Sequence, residues 1–505
     1  MLAFVLLSSA LSLSTVLLLK LVWSYRFAAK IPTVQPAVPL LGHIPMFWNR
    51  TSEQAFSSLT YCFRQVDRLG KVLFGPVLIV FVHHPDLLQQ LFSREDLHDR
   101  PFFYDFLGLD NGLLSEKNGH KWIRSRKVLN PAFNTRMLTG FIPIMDGRAR
   151  KLVAKMKPLA GTGTEFDILQ YIGECTLEMA FSTTMGRNAN ELPGQKEYVR
   201  NLEMIMNLIG ERVLNVNQFL DVFYRMTEAY RVDKKARTFC NAFTDKVIRE
   251  RRRELEKEKG LPKARDEFQS KSLNFLDQIL TIRKKDGSLF GDEEISNNLY
   301  NMMAAGNDTS SLTIAFACLF LAMHPKIQDK VFEEMNSVFH SDTVDITLDT
   351  LKQLQYTEQV IKEVLRLCPA VPCGARQASG PQVTLDGIQF PPKQIVVFNI
   401  FTLHRRKDLW GPDAECFNPN RFSPEATKQR HPYAFLPFSA GLRDCIGARY
   451  AMNSIRIVLL RILQDFEIKT NLRHEDFRFK FEITLKLAGP HSVWLEKRKK
   501  RNKSD

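Results

Sequence analysis

The densest concentration of chemically capable residues in this 505-residue chain lies at 437–451, PFSAGLRDCIGARYA, where two glycines, two arginines and a cysteine meet the start of a long helical pattern. Cys445 stands two residues before Gly447 and the helix-like run Ala448 to Phe466. Its sulfur is therefore expected near a helix N-terminus, where the dipole and free N–H groups favour the thiolate, the form that binds iron. Gly441 and Gly447 leave room for turns with positive φ and for backbone amides to approach the sulfur, and Phe438 is spaced to shield it from water. A lone cysteine is ordinarily a buried, inert thiol; the company of Phe438, Gly441, Arg443 and Gly447 sets this one apart.

Three further groupings need a reason. Ala305 to Thr309, AGNDT, places a glycine and the pair Asp308–Thr309 inside an apolar helical pattern that they would ordinarily weaken; alone it reads equally as a surface turn. Glu363 and Arg366 are three apart on a helix ending at Pro369 and share one face. Trp122 and Arg126 are four apart in KWIRSR, and Arg376 follows Pro369 by seven residues. Each arginine taken singly is an ordinary surface charge.

Phe438, Gly441, Arg443, Cys445 and Gly447 together reproduce F-x-x-G-x-R-x-C-x-G, and through it the chain resembles the cytochrome P450 monooxygenases. The resemblance implies that Cys445 is the axial ligand of a haem b iron, its thiolate pushing electron density toward O–O cleavage. Trp122, Arg126, Arg376 and Arg443 then become cofactor-binding residues at the propionates, with Phe438 beside the sulfur. AGNDT matches the family's A/G-G-x-D/E-T segment, in which Gly306 admits dioxygen while Asp308 and Thr309 deliver protons. Glu363 and Arg366 match a buried structural triad completed by Arg421 of FNPNRF. Electrons would come from NADPH through a separate cytochrome P450 reductase, with cytochrome b5 as a second candidate donor. The chain itself carries no flavin or dinucleotide fingerprint.

The similarity runs from Pro32 to Phe466, nearest to the branch of fatty-acid omega-hydroxylases and their insect relatives. It places substrate contacts in the loop before Trp122, at 196–233, at Ala305 and at 370–375. Four positions depart from the pattern: Leu442 and Asp444 replace the common Pro and Asn, Asn420 the usual glutamate, and Ala305 the glutamate that esterifies a haem methyl in many omega-hydroxylases. An alanine cannot form that ester, so the haem is expected to be non-covalent.

The elements that must position these residues are mostly helical. Helices are predicted at 119–128, 168–185, 196–213, 232–258, 270–283, 292–323, 325–339 and 348–367. Strands are predicted at 71–74 and 77–82 around Gly75-Pro76, at 383–385 and 388–390 around Asp386-Gly387, and at 395–398. The expected fold class is mainly α with small β-sheets, the cytochrome P450 fold preceded by an N-terminal transmembrane helix. Leu2 to Leu19 holds no charge and is followed by Lys20, Arg26 and Lys30. That reads as a membrane anchor at 1–25, with the catalytic body on the cytosolic side of the endoplasmic reticulum. A proline-rich connector at 26–42, a catalytic domain at 43–496 and a basic tail at 497–505 follow.

Hydrophobic residues make up 44% and there are 37 phenylalanines, enough for a large core with an apolar pocket. The net charge of +15 suits an anionic membrane face or an acidic redox partner better than nucleic acid, because the basic residues are interleaved with glutamates. Eight cysteines without a paired C-x-x-C argue for a reducing compartment. The reading is a membrane-bound enzyme that inserts one atom of dioxygen into a fatty acid, hormone or xenobiotic. Its rivals are an isomerase or dehydratase of the same family, and a haem sensor or lipophile carrier.

Overall fold

The computed structural model describes residues 2–108, 112–186, 193–259, 274–284, 287–339, 345–380 and 383–498. Its centre is the helix Asp292–Met323, 32 residues long. Three acidic residues fill its first turn, where negative charge is attracted to the positive end of the helix dipole, and the Glu294 carboxylate accepts the N–H of Gly291 at 3.1 Å. From Leu312 to Leu321 every side chain is buried, so this half is apolar all round and packs among Ile168–Met185, Gln355–Leu367 and Ala448–Asp465. The earlier half keeps one open face, carrying Ala305, Gly306 and Thr309. Pro325 starts the next helix after the break at His324.

The principal sheet has the order Leu69–Phe74, Val77–Val82, Ile395–Asn399, Cys373–Gln377. The predicted hairpin forms with Phe74 opposite Val77, and Gly75 supplies the positive φ of 56° that its turn requires. The strands Val383–Leu385 and Ile388–Phe390 also pair, turning through Asp386 and Gly387 at φ 52° and 71°.

Several boundaries differ from expectation. The predicted helix 348–367 is two, Leu348–Gln353 and Gln355–Leu367, separated at Leu354. The helix predicted at 270–283 is described only as Phe275–Thr281, its first four residues lying outside the described ones. Helices Ser52–Arg64 and Thr135–Met156 were not expected; the latter contains Pro143, a breaker by type. The C-terminal strands Phe479–Glu482 and Thr484–Leu487, joined at Ile483 with φ 65°, were not expected either, yet they reach the site.

At the N-terminus a helix spans Leu2–Phe27. Among the described residues no single helix is long and apolar enough to cross a membrane. The connector after it is packed onto the body: Ala28, Ile31 and Val34 are buried, and the Lys71 ammonium, itself buried, donates to the Ala28 carbonyl at 2.6 Å. Of the basic tail, residues 499–505 lie outside the described residues, and Lys497 ends the last strand.

Candidate active site

The cysteine loop is held by its own backbone. The Cys445 N–H donates to the Phe438 carbonyl at 2.9 Å, and the Ser439 N–H donates to the Leu436 carbonyl at 3.0 Å. Gly441 has φ 72°, and a Cβ there would stand 2.1 Å from the Phe92 carbonyl oxygen, so only glycine fits. Gly447 is not at positive φ; it lies beside the sulfur as the N-cap of Ala448–Asp465, and its N–H is directed at the Cys445 thiol. The helix terminus was expected to favour the thiolate. In the structure burial is the larger influence and raises the Cys445 thiol, against the Gly447 N–H and Arg126, which lower it. Cys445 nonetheless keeps accessible surface, so an electrophilic partner at the sulfur is what would turn the balance toward the thiolate.

Arg376 and Arg443 are buried and converge with Arg100, which sequence reasoning missed. None of the three has an ion-pair partner among the described residues. Arg443 Nε and Nη1, Arg376 Nε and Arg100 Nε have no hydrogen-bond acceptor. Burial, then Arg100 and Arg376, pushes Arg443 down to about 8; burial, then Arg100, pushes Arg376 down to about 10. Buried cations repelling one another with donors unsatisfied form a cradle for a dianion. The only sequence signal for Arg100 was its place in HDRP, between an acid and a proline.

Trp122 and Arg126 also have protein partners of their own. The Trp122 indole N–H already donates to the Leu113 carbonyl at 2.9 Å, so its contribution is the ring, which lies 4.8 Å beneath the Arg443 guanidinium. Arg126 donates to the Asp444 carboxylate at 2.8 Å, to the Asp444 carbonyl at 2.7 Å and to Asn130 at 2.7 Å. Asp444, a departure from the family pattern, thus engages the cation assigned to a propionate. Phe438 is half-buried against the core beside the loop.

On the central helix, a Cβ built at Gly306 would meet nothing within 4 Å, and the Thr309 hydroxyl donates to the Ala305 carbonyl at 2.7 Å. Asp308 turns toward the C-terminal hairpin: Thr484 Oγ1 donates to its Oδ2 at 2.5 Å, and Lys486 Nζ lies 3.8 Å from its Oδ1. Lys486 also pairs with Glu482 at 3.3 Å. Nearby Glu203 is raised by burial, an effect opposed by Lys486 and reinforced by Asp308. Together these residues make an ionisable track between the helix face and the hairpin.

Glu363 and Arg366 are fully buried and paired through two bonds of 2.7 and 2.8 Å. Arg366 also donates to the carbonyls of His404, Ala414 and Cys416. Arg421 stands 3.7 Å from Glu363 and 2.7 Å from Asp413, so the third member shares its charge with a surface acid. Asn420 takes no part in the pairing.

Residues 32–492 match the family model described as Cytochrome P450. The chain belongs to the cytochrome P450 family. It is 31% identical to Cytochrome P450 4c21 of Blattella germanica across 97% of this chain and 99% of that one, and 32% identical to Cytochrome P450 4V2 of Homo sapiens across 94% and 90%. Probable cytochrome P450 313a1 of Drosophila melanogaster is 30% identical across 87% and 89%. Such relatives agree with the branch inferred from the motifs. In fold, the retinoic-acid-bound cyanobacterial CYP120A1 superposes with a TM-score of 0.76 at 23% identity, covering 93% of this chain and 99% of that one.

This cytochrome P450 is a monooxygenase whose cofactor is haem b, bound non-covalently. The residues present fit that group. Cys445 offers the accessible sulfur, and Arg100, Arg376 and Arg443 offer unsatisfied donors for two carboxylates. Ala305 presents only a methyl group, with nothing from which to form an ester.

Proposed function

We propose that the protein is a membrane-bound monooxygenase that oxidises a lipophilic substrate, a fatty acid, hormone or xenobiotic, with NADPH electrons delivered by cytochrome P450 reductase and cytochrome b5 as a second donor. The observation that carries the oxygen-dependent reading is the retained pair Asp308–Thr309, with Asp308 joined to an ionisable track. An isomerase or dehydratase that rearranges a peroxide has no use for such proton delivery, and neither has a sensor or carrier.

Haem supplies oxygen activation at its iron; the chain supplies positioning and protons. Cys445 would provide the sulfur ligand, and Arg100, Arg376 and Arg443 would hold the cofactor's carboxylates through charge-assisted bonds. Thr309 holds a hydroxyl on the open helix face, and Asp308 brings protons from the hairpin side. Substrate selection falls to an aromatic wall, where Phe102 and Phe106 pack edge-on against Phe219 with centroids 5.2 and 5.7 Å apart. Arg212 closes this wall, lying 3.8 Å from the Phe106 ring and 3.9 Å from the Tyr224 ring.

Membrane attachment on the cytosolic face of the endoplasmic reticulum is supported by the uncharged run Leu2–Leu19 with basic residues after it. A second support is the exposed apolar cluster Leu220, Val222, Phe223 and Met226 beside the substrate wall. The test is reconstitution with reductase, NADPH and phospholipid vesicles against a panel of lipophiles that shift the haem spin state. NADPH-dependent incorporation of one atom from labelled dioxygen supports the reading. Turnover of a hydroperoxide without NADPH or reductase, and none with them, would overturn it.

A further inference from the structure

We propose that His404 is a positioning residue that transmits the rigidity of the Glu363–Arg366 pair to the cysteine loop, by accepting the Leu436 N–H on its Nε2 in the Nδ1-protonated tautomer. The geometry requires that tautomer. The Leu436 N–H reaches Nε2 at 2.8 Å, so Nε2 carries a lone pair and the ring proton sits on Nδ1, 3.2 Å from the Arg366 carbonyl to which it donates.

His404 is therefore tied to Arg366 twice, through this ring bond and through its own carbonyl, which accepts from Arg366 Nη1 at 2.8 Å. On the far side, Leu436 opens the turn whose backbone bonds run to Cys445: its carbonyl takes the Ser439 N–H, and the Phe438 carbonyl takes the Cys445 N–H. A continuous hydrogen-bonded path thus leads from a fully buried ion pair to the sulfur ligand, and its one side-chain link outside the pair is an imidazole. The ring is fully buried, with the Phe435 ring centroid at 5.2 Å and the Trp410 centroid at 6.2 Å, so no water competes for Leu436. Without this acceptor the Leu436 N–H would be an orphan at the start of the loop, and its cheapest remedy is a shift of the loop itself.

Two substitutions separate positioning from packing. His404→Leu fills the space and removes the acceptor, whereas His404→Gln keeps an acceptor oxygen near the Nε2 position. Each variant is expressed as the full chain, and three readouts are taken: haem retention against excess apomyoglobin, the thiolate-to-thiol ratio of the ferrous carbon-monoxide complex, and the thermal midpoint. We expect His404→Leu to raise the thiol-ligated fraction about five- to tenfold, the equilibrium equivalent of one buried hydrogen bond, with faster haem loss. His404→Gln is expected to restore most of the thiolate form. A wild-type ligation ratio in His404→Leu overturns the proposal, as does a His404→Gln no better than His404→Leu when both melt like wild type. Should His404→Leu fail to accumulate, His404→Gln decides: a wild-type thiolate spectrum supports the acceptor role, and a thiol-type or haem-free protein overturns it.

Discussion

Thr484 of the C-terminal hairpin donates its hydroxyl proton to the carboxylate of Asp308 on the central helix, at 2.5 Å. That bond, reinforced by Lys486, fixes the acid between the helix face and a charged surface formed with Glu482 and Glu203. Asp308→Asn is therefore expected to slow product formation on the order of 100-fold, in the range for loss of a proton-transfer group, and to enlarge the solvent isotope effect on NADPH oxidation. Rate and isotope effect measured together check this.

Thr309→Ala removes a hydroxyl without touching the cofactor cradle. Substrate binding should persist, while product per NADPH falls and hydrogen peroxide rises in its place. Quantifying both products in one reaction checks the outcome; unchanged coupling would place proton delivery elsewhere.

Arg376 is a test of the propionate cradle with opposite signs in two states. Without haem, Arg376→Met relieves repulsion among buried cations, so the apoprotein should melt no lower than wild type. With haem, loss of charge-assisted bonds worth roughly 1.5–3 kcal/mol should speed haem release about ten- to 100-fold. Calorimetry of both forms and a haem-transfer assay read the two halves.

The buried pair gives the largest stability effect. Glu363→Gln strands Arg366, which is fully buried, and should cost about 3–5 kcal/mol. Arg421→Ala removes a partner 3.7 Å away that also has Asp413, and should cost much less. Denaturant midpoints of the two variants give the comparison.

Acid should weaken the fold through histidines that it holds neutral. Burial holds His83 and His474 down to about 4, so both are neutral when folded, whereas the unfolded chain takes up their protons near 6.5. Their contribution is full above about 6.5 and is lost as pH falls from there toward 4, at up to about 1.4 kcal/mol per pH unit for the nearly inaccessible His83. Thermal midpoints across that window, with His83→Gln as control, measure the slope.

How much was legible beforehand depended on whether the signal was local. Cys445, Gly441 and Arg443 sit in one short loop whose residue types are forced by its turns, and helix 292–323 was bounded correctly because its acids, its apolar run and Pro325 all lie in sequence. Arg100, Thr484, Lys486 and His404 became visible only through pairing across long separations: a cationic cradle assembled from three segments, a hairpin reaching Asp308, and a ring bridging two loops. Asp444 shows a contact that a local motif could not reveal. Arg126 was assigned from its motif, and Asp444, 318 residues further along the chain, lies close enough in space to pair with it.

The central claim is that Cys445 supplies the thiolate of a haem site in this chain. The ferrous carbon-monoxide spectrum of the full-length protein, recorded beside that of Cys445→Ala, tests it most directly. The account requires the red-shifted Soret band of thiolate ligation in the wild type and its loss in the variant. A wild type without that band, or a Cys445→Ala variant that keeps it, would contradict the assignment.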